Sequence, residues 1–92
     1  MRADVRIDLH GLKEQEAWQR LESEVAKAQR QGHQTLLVIT GRGLHSKGEP
    51  VLQKALLRWI RGPLSLSIAE HAQAAPRQGG KGARWIFLKP KP

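Results

Sequence analysis

The sequence predicts an α/β fold: a two-layer sandwich in the order βαβαββ, with a four-stranded mixed sheet and two helices on one face. Three observations lead there. "VRIDLH" and "LSLSIA" alternate apolar and polar residues, the period of a strand with one buried side. "EQEAWQRLESEVAKAQRQG" and "VLQKALLRWIRG" repeat apolar residues at intervals of three and four, the period of an amphipathic helix. Strands and helices alternate along most of the chain. Strand–helix–strand crossovers favour parallel strands with right-handed connections, which places both helices on the same side.

In "VRIDLH", Val5, Ile7 and Leu9 face one way and Arg6, Asp8 and His10 the other. The first helix carries a stripe of Ala17, Leu21, Val25 and Ala28, with Trp18 beside it. Glu14 and Glu16 near its start and Lys27 and Arg30 near its end suit the helix dipole, and Gly32 can stop it. Lys13 stands where Ser, Thr or Asp would cap better. "TLLVIT" reads as a short buried strand and "GRGLHSKGE" as a glycine-rich loop, after which Pro50 can open the second helix. There Leu52, Ala55, Leu56, Trp59 and Ile60 form the core stripe, Lys54, Arg58 and Arg61 ride outside, and Gly62-Pro63 ends the helix. "LSLSIA" is then the third strand, and "EHAQAAPRQGGKG" is a loop leading to "ARWIFLK". That last strand is apolar on both faces, Trp85 and Phe87 on one and Ile86 and Leu88 on the other. Trp18 and Trp59 are expected to pack in the core, and packing is a better reading of Trp85 than base stacking. The tail "PKP" is expected to fray.

Ninety-two residues support one domain with one modest core, spanning 1–92. The absence of cysteine excludes disulfides and thiolate metal sites, which suits a reducing compartment. No apolar run approaches the ~18–20 residues needed to span a bilayer, and no signal-peptide pattern precedes the first strand. The expected location is cytoplasmic, with no membrane partner. Sixteen Lys and Arg against eight Asp and Glu give a formal net charge of +8. So basic a domain has a standing affinity for polyanions, with nucleic acid the first candidate.

The carboxyl ends of parallel strands share one edge of a sheet, and ligands in open α/β folds bind at that edge. "DLHG" and "TGRG" should meet there. If the last strand runs antiparallel to the third, "PRQGGKG" joins them, bringing Arg77 and Lys81. Asp8 and His10 are same-face neighbours roughly 6.6 Å apart along the strand. Histidine suits proton transfer at neutral pH, and a carboxylate can orient an imidazole or a water. The plain alternative is that Asp8 caps a turn or pairs with Arg6. "TGRGLHSKG" has the features of an anion cradle: glycines let backbone N–H groups approach closely, and Arg42 and Lys47 add charge suited to phosphate. It is not a Walker A loop, because Gly43 is followed by Leu44 and His45. The alternative is an ordinary glycine turn. His45 is a second candidate for proton transfer or phosphate contact, or a surface histidine. His33 and His71 are expected to have no chemical role. A zinc site built from Asp8, His10, His45 and His71 lacks compact ligand spacing, so no metal ligands are expected.

Taken together, "IDLHGL", "TGRGLHSKGEPVL" and "GGKGARWIFLK" resemble the Smr (small MutS-related) domain from end to end, and the stand-alone bacterial Smr proteins in particular. The resemblance implies a sandwich similar to the C-terminal domain of translation initiation factor three. It also implies endonuclease activity on RNA or DNA, which in some members is cleavage of messenger RNA at stalled ribosomes. Asp8 and His10 would be catalytic; His45 joins them as a candidate from the reading of the second motif and not from the resemblance. Thr40, Gly41, Arg42, Gly43, Lys47, Arg77 and Lys81 would contact nucleic acid. On RNA a 2′-hydroxyl can attack and no cofactor is needed; on DNA water must attack, and Mg²⁺ at Asp8 becomes attractive. RNA is the slightly preferred substrate; Asp4 and Asp8 are the only aspartates and supply a two-metal site poorly, which favours a metal-independent reaction. Nucleic acid, and through it the ribosome, is the expected partner, and the isolated domain is expected to be monomeric. A chain that begins almost at its first strand is expected to be a domain of a longer protein. The rival reading is a non-catalytic nucleic-acid or ribosome-binding module; a third is an enzyme acting on a small phosphate compound.

Overall fold

A computed structural model describes residues 2–41 and 51–90. The elements are β1 (Val5–Asp8), α1 (Glu14–Arg30), β2 (Thr35–Ile39), α2 (Val51–Arg61), β3 (Ile68–Gln73) and β4 (Ala83–Leu88). Two single-turn 3₁₀ segments, Pro76–Gln78 and Gly80–Gly82, lie between β3 and β4.

The sheet order is β1-β2-β4-β3. β1 pairs parallel with β2, and β4 runs antiparallel to both β2 and β3. The second crossover therefore does not bring β3 against β2, because β4 is inserted between them. Composition explains the insertion: β4 is apolar on both faces and belongs in the centre, whereas β3 carries Glu70 and Gln73 and tolerates an edge.

Both helices cover one face of this sheet. Ile7, Leu9, Leu36, Val38, Ile86 and Leu88 point into a core closed by Ala17, Leu21, Val25 and Ala28 of α1 and by the predicted stripe of α2. Trp18 and Trp59 join the helices with ring centroids 5.3 Å apart. Lys13 supplies no capping side-chain acceptor, yet the start of α1 is closed from the other side, because Glu16 Oε1 accepts the Lys13 N–H at 3.1 Å. At its end the His33 N–H donates to Ala28 O at 2.9 Å and the Gly32 N–H to Gln29 O at 3.2 Å, which is the Schellman pairing.

β3 lies further along the chain than its pattern predicts. Residues 62–67 are turns, with the Leu64 N–H donating to Trp59 O at 2.9 Å, Ser65 to Gly62 O at 3.0 Å and Ser67 to Leu64 O at 3.0 Å. Leu64 seals the core, but Leu66 is 87% exposed, so the Leu-Ser-Leu-Ser alternation is not that of a strand. The strand instead runs through "IAEHAQ", expected to be largely loop. A register shift between Ile68 and Glu70 breaks its alternation, and pairing with β4 rather than its own period holds it extended. His71 consequently lies inside the strand and not at its end.

The other sheet face has no helix over it among the described residues. Leu37, Ala74, Ala83 and Trp85 cluster there, with Ala3, Ile39 and Phe87 beside them. The turn after β3 folds back over Trp85, whose indole N–H donates to Gln78 Oε1 at 3.3 Å. Gly79 makes that fold possible: its φ is +122°, and a Cβ there would stand 2.7 Å from the Cβ of Ala83.

Candidate active site

Parallel pairing of β1 with β2 brings their carboxyl ends to one edge, and the Leu9 N–H extends the ladder to Ile39 O at 2.7 Å. Leu9 is fully buried and anchors the end of the strand, while its neighbours Asp8 and His10 are exposed. Their side chains meet: His10 Nδ1 lies 2.6 Å from Asp8 Oδ1, and the same oxygen accepts the His10 backbone N–H at 3.0 Å. The ring remains 69% exposed and the carboxylate 49%. Partial burial pushes the Asp8 carboxyl up, but the hydrogen bonds from the His10 ring and backbone, with the charges of His10 and Arg6, outweigh it and hold it below the usual range. An ionised carboxylate only accepts, so Nδ1 carries the hydrogen, and in the neutral ring Nε2 is the basic nitrogen. A histidine so oriented is equipped to take and return a proton.

The other two segments reach the same edge. Thr40 is buried, and its N–H and that of Gly41 both donate to the Gly82 carbonyl, at 2.8 and 3.0 Å. The Gly41 amide is thereby already paired, so its contribution to the site is not an N–H for phosphate but close approach. Its φ is +80°, and a Cβ on it would lie 3.2 Å from the Cβ of His10. Gln53 of α2 secures the segment, donating from Nε2 to Gly41 O at 2.9 Å. Nothing in the sequence distinguishes Gln53 from any other polar residue on an amphipathic helix. Arg42, Gly43, His45 and Lys47, expected to bind phosphate or move protons, lie outside the described residues, as does Pro50.

Arg77 and Lys81 belong to one loop but line different surfaces. Lys81 borders a hollow of about 140 Å³ with Thr40, Gln53, Gln73 and Arg84. Arg77 borders a wider groove on the open sheet face, across from Arg6. Arg6 was legible by strand period as a same-face neighbour of Asp8, though only as its ion-pair partner. His71 accepts a hydrogen bond on Nδ1 from Arg84 Nη1 at 2.9 Å; burial first, and then the charges of Arg84 and Arg61, lower its pKa. Among the described residues no three His, Asp or Glu side chains gather to hold a metal ion. Asp8 is the carboxylate at this edge that a cation would use.

A mixed sheet with helices on one face, and an Asp–His pair on its carboxyl edge tied to glycine-rich segments, defines a small α/β module of the Smr type. The chain matches the Smr domain family over residues 7–89 and belongs to it. Smr domains are nucleic-acid-binding modules, some of them nucleases, and the charge of +8 fits that class. The structure resembles the Smr domain of Thermus thermophilus MutS2 (TM-score 0.80, 27% identity), covering 92% of this chain and 98% of that one. It also resembles the SMR domain of NEDD4-binding protein 2 (TM-score 0.68, 31% identity), covering 100% of this chain and 92% of that one. YdaL, a stand-alone small MutS-related protein from Escherichia coli, shares the fold (TM-score 0.80, 23% identity), with 94% of this chain and 64% of that one covered. In sequence the chain is 36% identical over 86 residues to an uncharacterized protein of Treponema pallidum (strain Nichols), covering 94% of this chain and 42% of the relative. The chain thus spans about two fifths of that relative's length.

Proposed function

We propose that this Smr domain is a nucleic-acid endonuclease, with RNA its preferred substrate, in which His10 moves the proton and Asp8 orients it. The observation that carries the reading is the 2.6 Å contact between His10 Nδ1 and Asp8 Oδ1 on an exposed sheet edge. Nε2 takes the proton from a ribose 2′-hydroxyl as that oxygen attacks the adjacent phosphorus. The imidazolium that forms is stabilised by the Asp8 carboxylate. It returns the proton to the departing 5′-oxygen, leaving a 2′,3′-cyclic phosphate and a 5′-hydroxyl. Arg42 and Lys47 contribute charge suited to the phosphate at the level of sequence. On DNA, where water must attack, Mg²⁺ held through Asp8 and the substrate phosphate would supply the activated nucleophile.

The test is His10→Ala. Cleavage of single-stranded RNA should fall by about 10²–10⁴-fold, while salt-sensitive binding should change by less than about twofold. Cleavage that persists in this variant overturns the assignment of His10. Cyclic phosphate ends formed in the presence of chelator support the ribose nucleophile, and products that require Mg²⁺ refute the metal-free route. A wild-type domain that binds RNA and DNA but cuts neither is a binding module.

A further inference from the structure

The open sheet face carries a groove of about 500 Å³ that the proton chemistry does not use. Its floor is apolar: Leu37 and Ile39 of β2, with Ala83 and Trp85 of β4. Arg6 stands on the β1 side, and Arg77 opposite it on the turn after β3. In the sheet order β1-β2-β4-β3 the floor strands β2 and β4 lie between β1 and β3. No carboxylate lines the groove, and neither arginine makes an ion pair among the described residues. The groove leads to the candidate active site. Asp8 follows Arg6 on the same face of β1, and its backbone pairs with Ile39 of the groove floor.

Two guanidinium groups outside any ion pair among the described residues, flanking an apolar floor, are complementary to a ligand with anions at its ends and a flat apolar body between them. A nucleotide within a single strand has that form. A duplex does not, because pairing and stacking hide the base faces and leave phosphates, sugars and base edges. The volume also lies within the ~300–1,000 Å³ of ordinary small-ligand sites, enough for one base and its ribose. Trp85 is only 7% exposed and is held by Gln78, so it adds an apolar edge and not an open ring face. Contact of that kind tolerates any base.

We infer that this face binds single-stranded nucleic acid, with one unstacked base on the Leu37–Ile39–Trp85 floor and its flanking phosphates on Arg6 and Arg77. The binding mode stands on the groove alone; that it delivers a neighbouring phosphate to His10 rests on the endonuclease reading. The experiment is fluorescence anisotropy with an oligoribonucleotide of about 12 nucleotides, 2′-O-methylated so that no ribose can attack, as a single strand and as a duplex. The single strand should bind the full chain at least about tenfold more tightly than the duplex, and Arg6→Ala and Arg77→Ala should each weaken it about three- to tenfold with a shallower salt dependence. Ile39→Glu, which places a carboxylate on the floor, should weaken it further, with circular dichroism checking the fold. Arg77→Glu lies on an exposed turn and gives the same reading should Ile39→Glu fail to fold. Equal or tighter duplex binding overturns the inference, as does unchanged affinity in both arginine variants or equal affinity for a strand lacking its bases. Cleavage assayed in parallel on unmodified RNA separates the two readings. An inactive wild type with groove-dependent binding defeats only the endonuclease; active enzyme with indifferent groove variants defeats only the groove.

Discussion

The two faces of the sheet use the same strands for different ends. On one, Ile7, Leu36, Val38 and Ile86 have no exposed surface beneath the two helices. One residue along, Arg6, Leu37, Asp8 and Trp85 point to the side no helix covers, where cations, an acid–base pair and an apolar floor lie together. Because successive strand residues face opposite ways, stability and chemistry are sorted by residue parity. The closed face supplies the burial that folds so small a domain. The open face keeps Arg6 and the Asp8–His10 pair, which would be costly to bury, and keeps them reachable.

The sharpest way to break this comparison is on the closed face. Ile86→Ala removes a fully buried side chain and should cost about 2–5 kcal/mol, read by urea unfolding, while the folded fraction retains its cleavage rate per molecule. A loss under about 1 kcal/mol would mean that the core collapses readily around the gap. Gly41→Ala lies between the faces. Its positive φ should cost about 1–2 kcal/mol, and its new Cβ would press on His10, 3.2 Å away. Cleavage should therefore fall by more than the unfolding change accounts for; parallel losses would deny Gly41 a part in placing His10.

Acid should reveal a smaller effect. Asp4 accepts the Thr35 and Gln34 N–H groups, both at 3.0 Å, and these bonds hold its pKa below the ordinary value, with Thr35 the larger cause. Asp8 is shifted in the same direction. A depressed folded pKa gives stability that is complete above the unfolded value, ~3.9, and is lost as pH falls through the folded one. Thermal unfolding should therefore be flat in these groups near neutrality and decline below about pH 4, with a shallower decline in Asp4→Asn. An identical acid decline in that variant would show that the bonds at the start of β1 contribute little. The smallest effect is expected at Leu66→Ser, outside both faces, which should change stability by less than about 0.5 kcal/mol. A loss above about 1 kcal/mol would contradict the turn at residues 62–67.

Much of the site was legible because it rests on local periods. The alternation of "VRIDLH" put Asp8 and His10 on one face before any contact was known, and the stripes of α1 and α2 marked Trp18 and Trp59 for core packing, though not their contact with each other. β3 was hidden for the converse reason: a register shift interrupts its period, and a turn with alternating Leu and Ser imitates one. Gln53 and the pairing of the Gly41 amide were hidden because each depends on a partner remote in sequence.

By itself the sequence determined the elements whose side chains repeat with a regular period, the charge of the domain, and the three segments that converge on one edge. Those properties are local, since Cβ directions along a helix or strand follow from backbone geometry alone. Only the tertiary structure decided that β4 separates β2 from β3, that Gly82 takes both amides of the second segment, and that Arg6 and Arg77 stand across one groove. Each of these is set by which strand lies beside which, and strand order follows from burying both faces of β4 at once. No single segment carries that requirement.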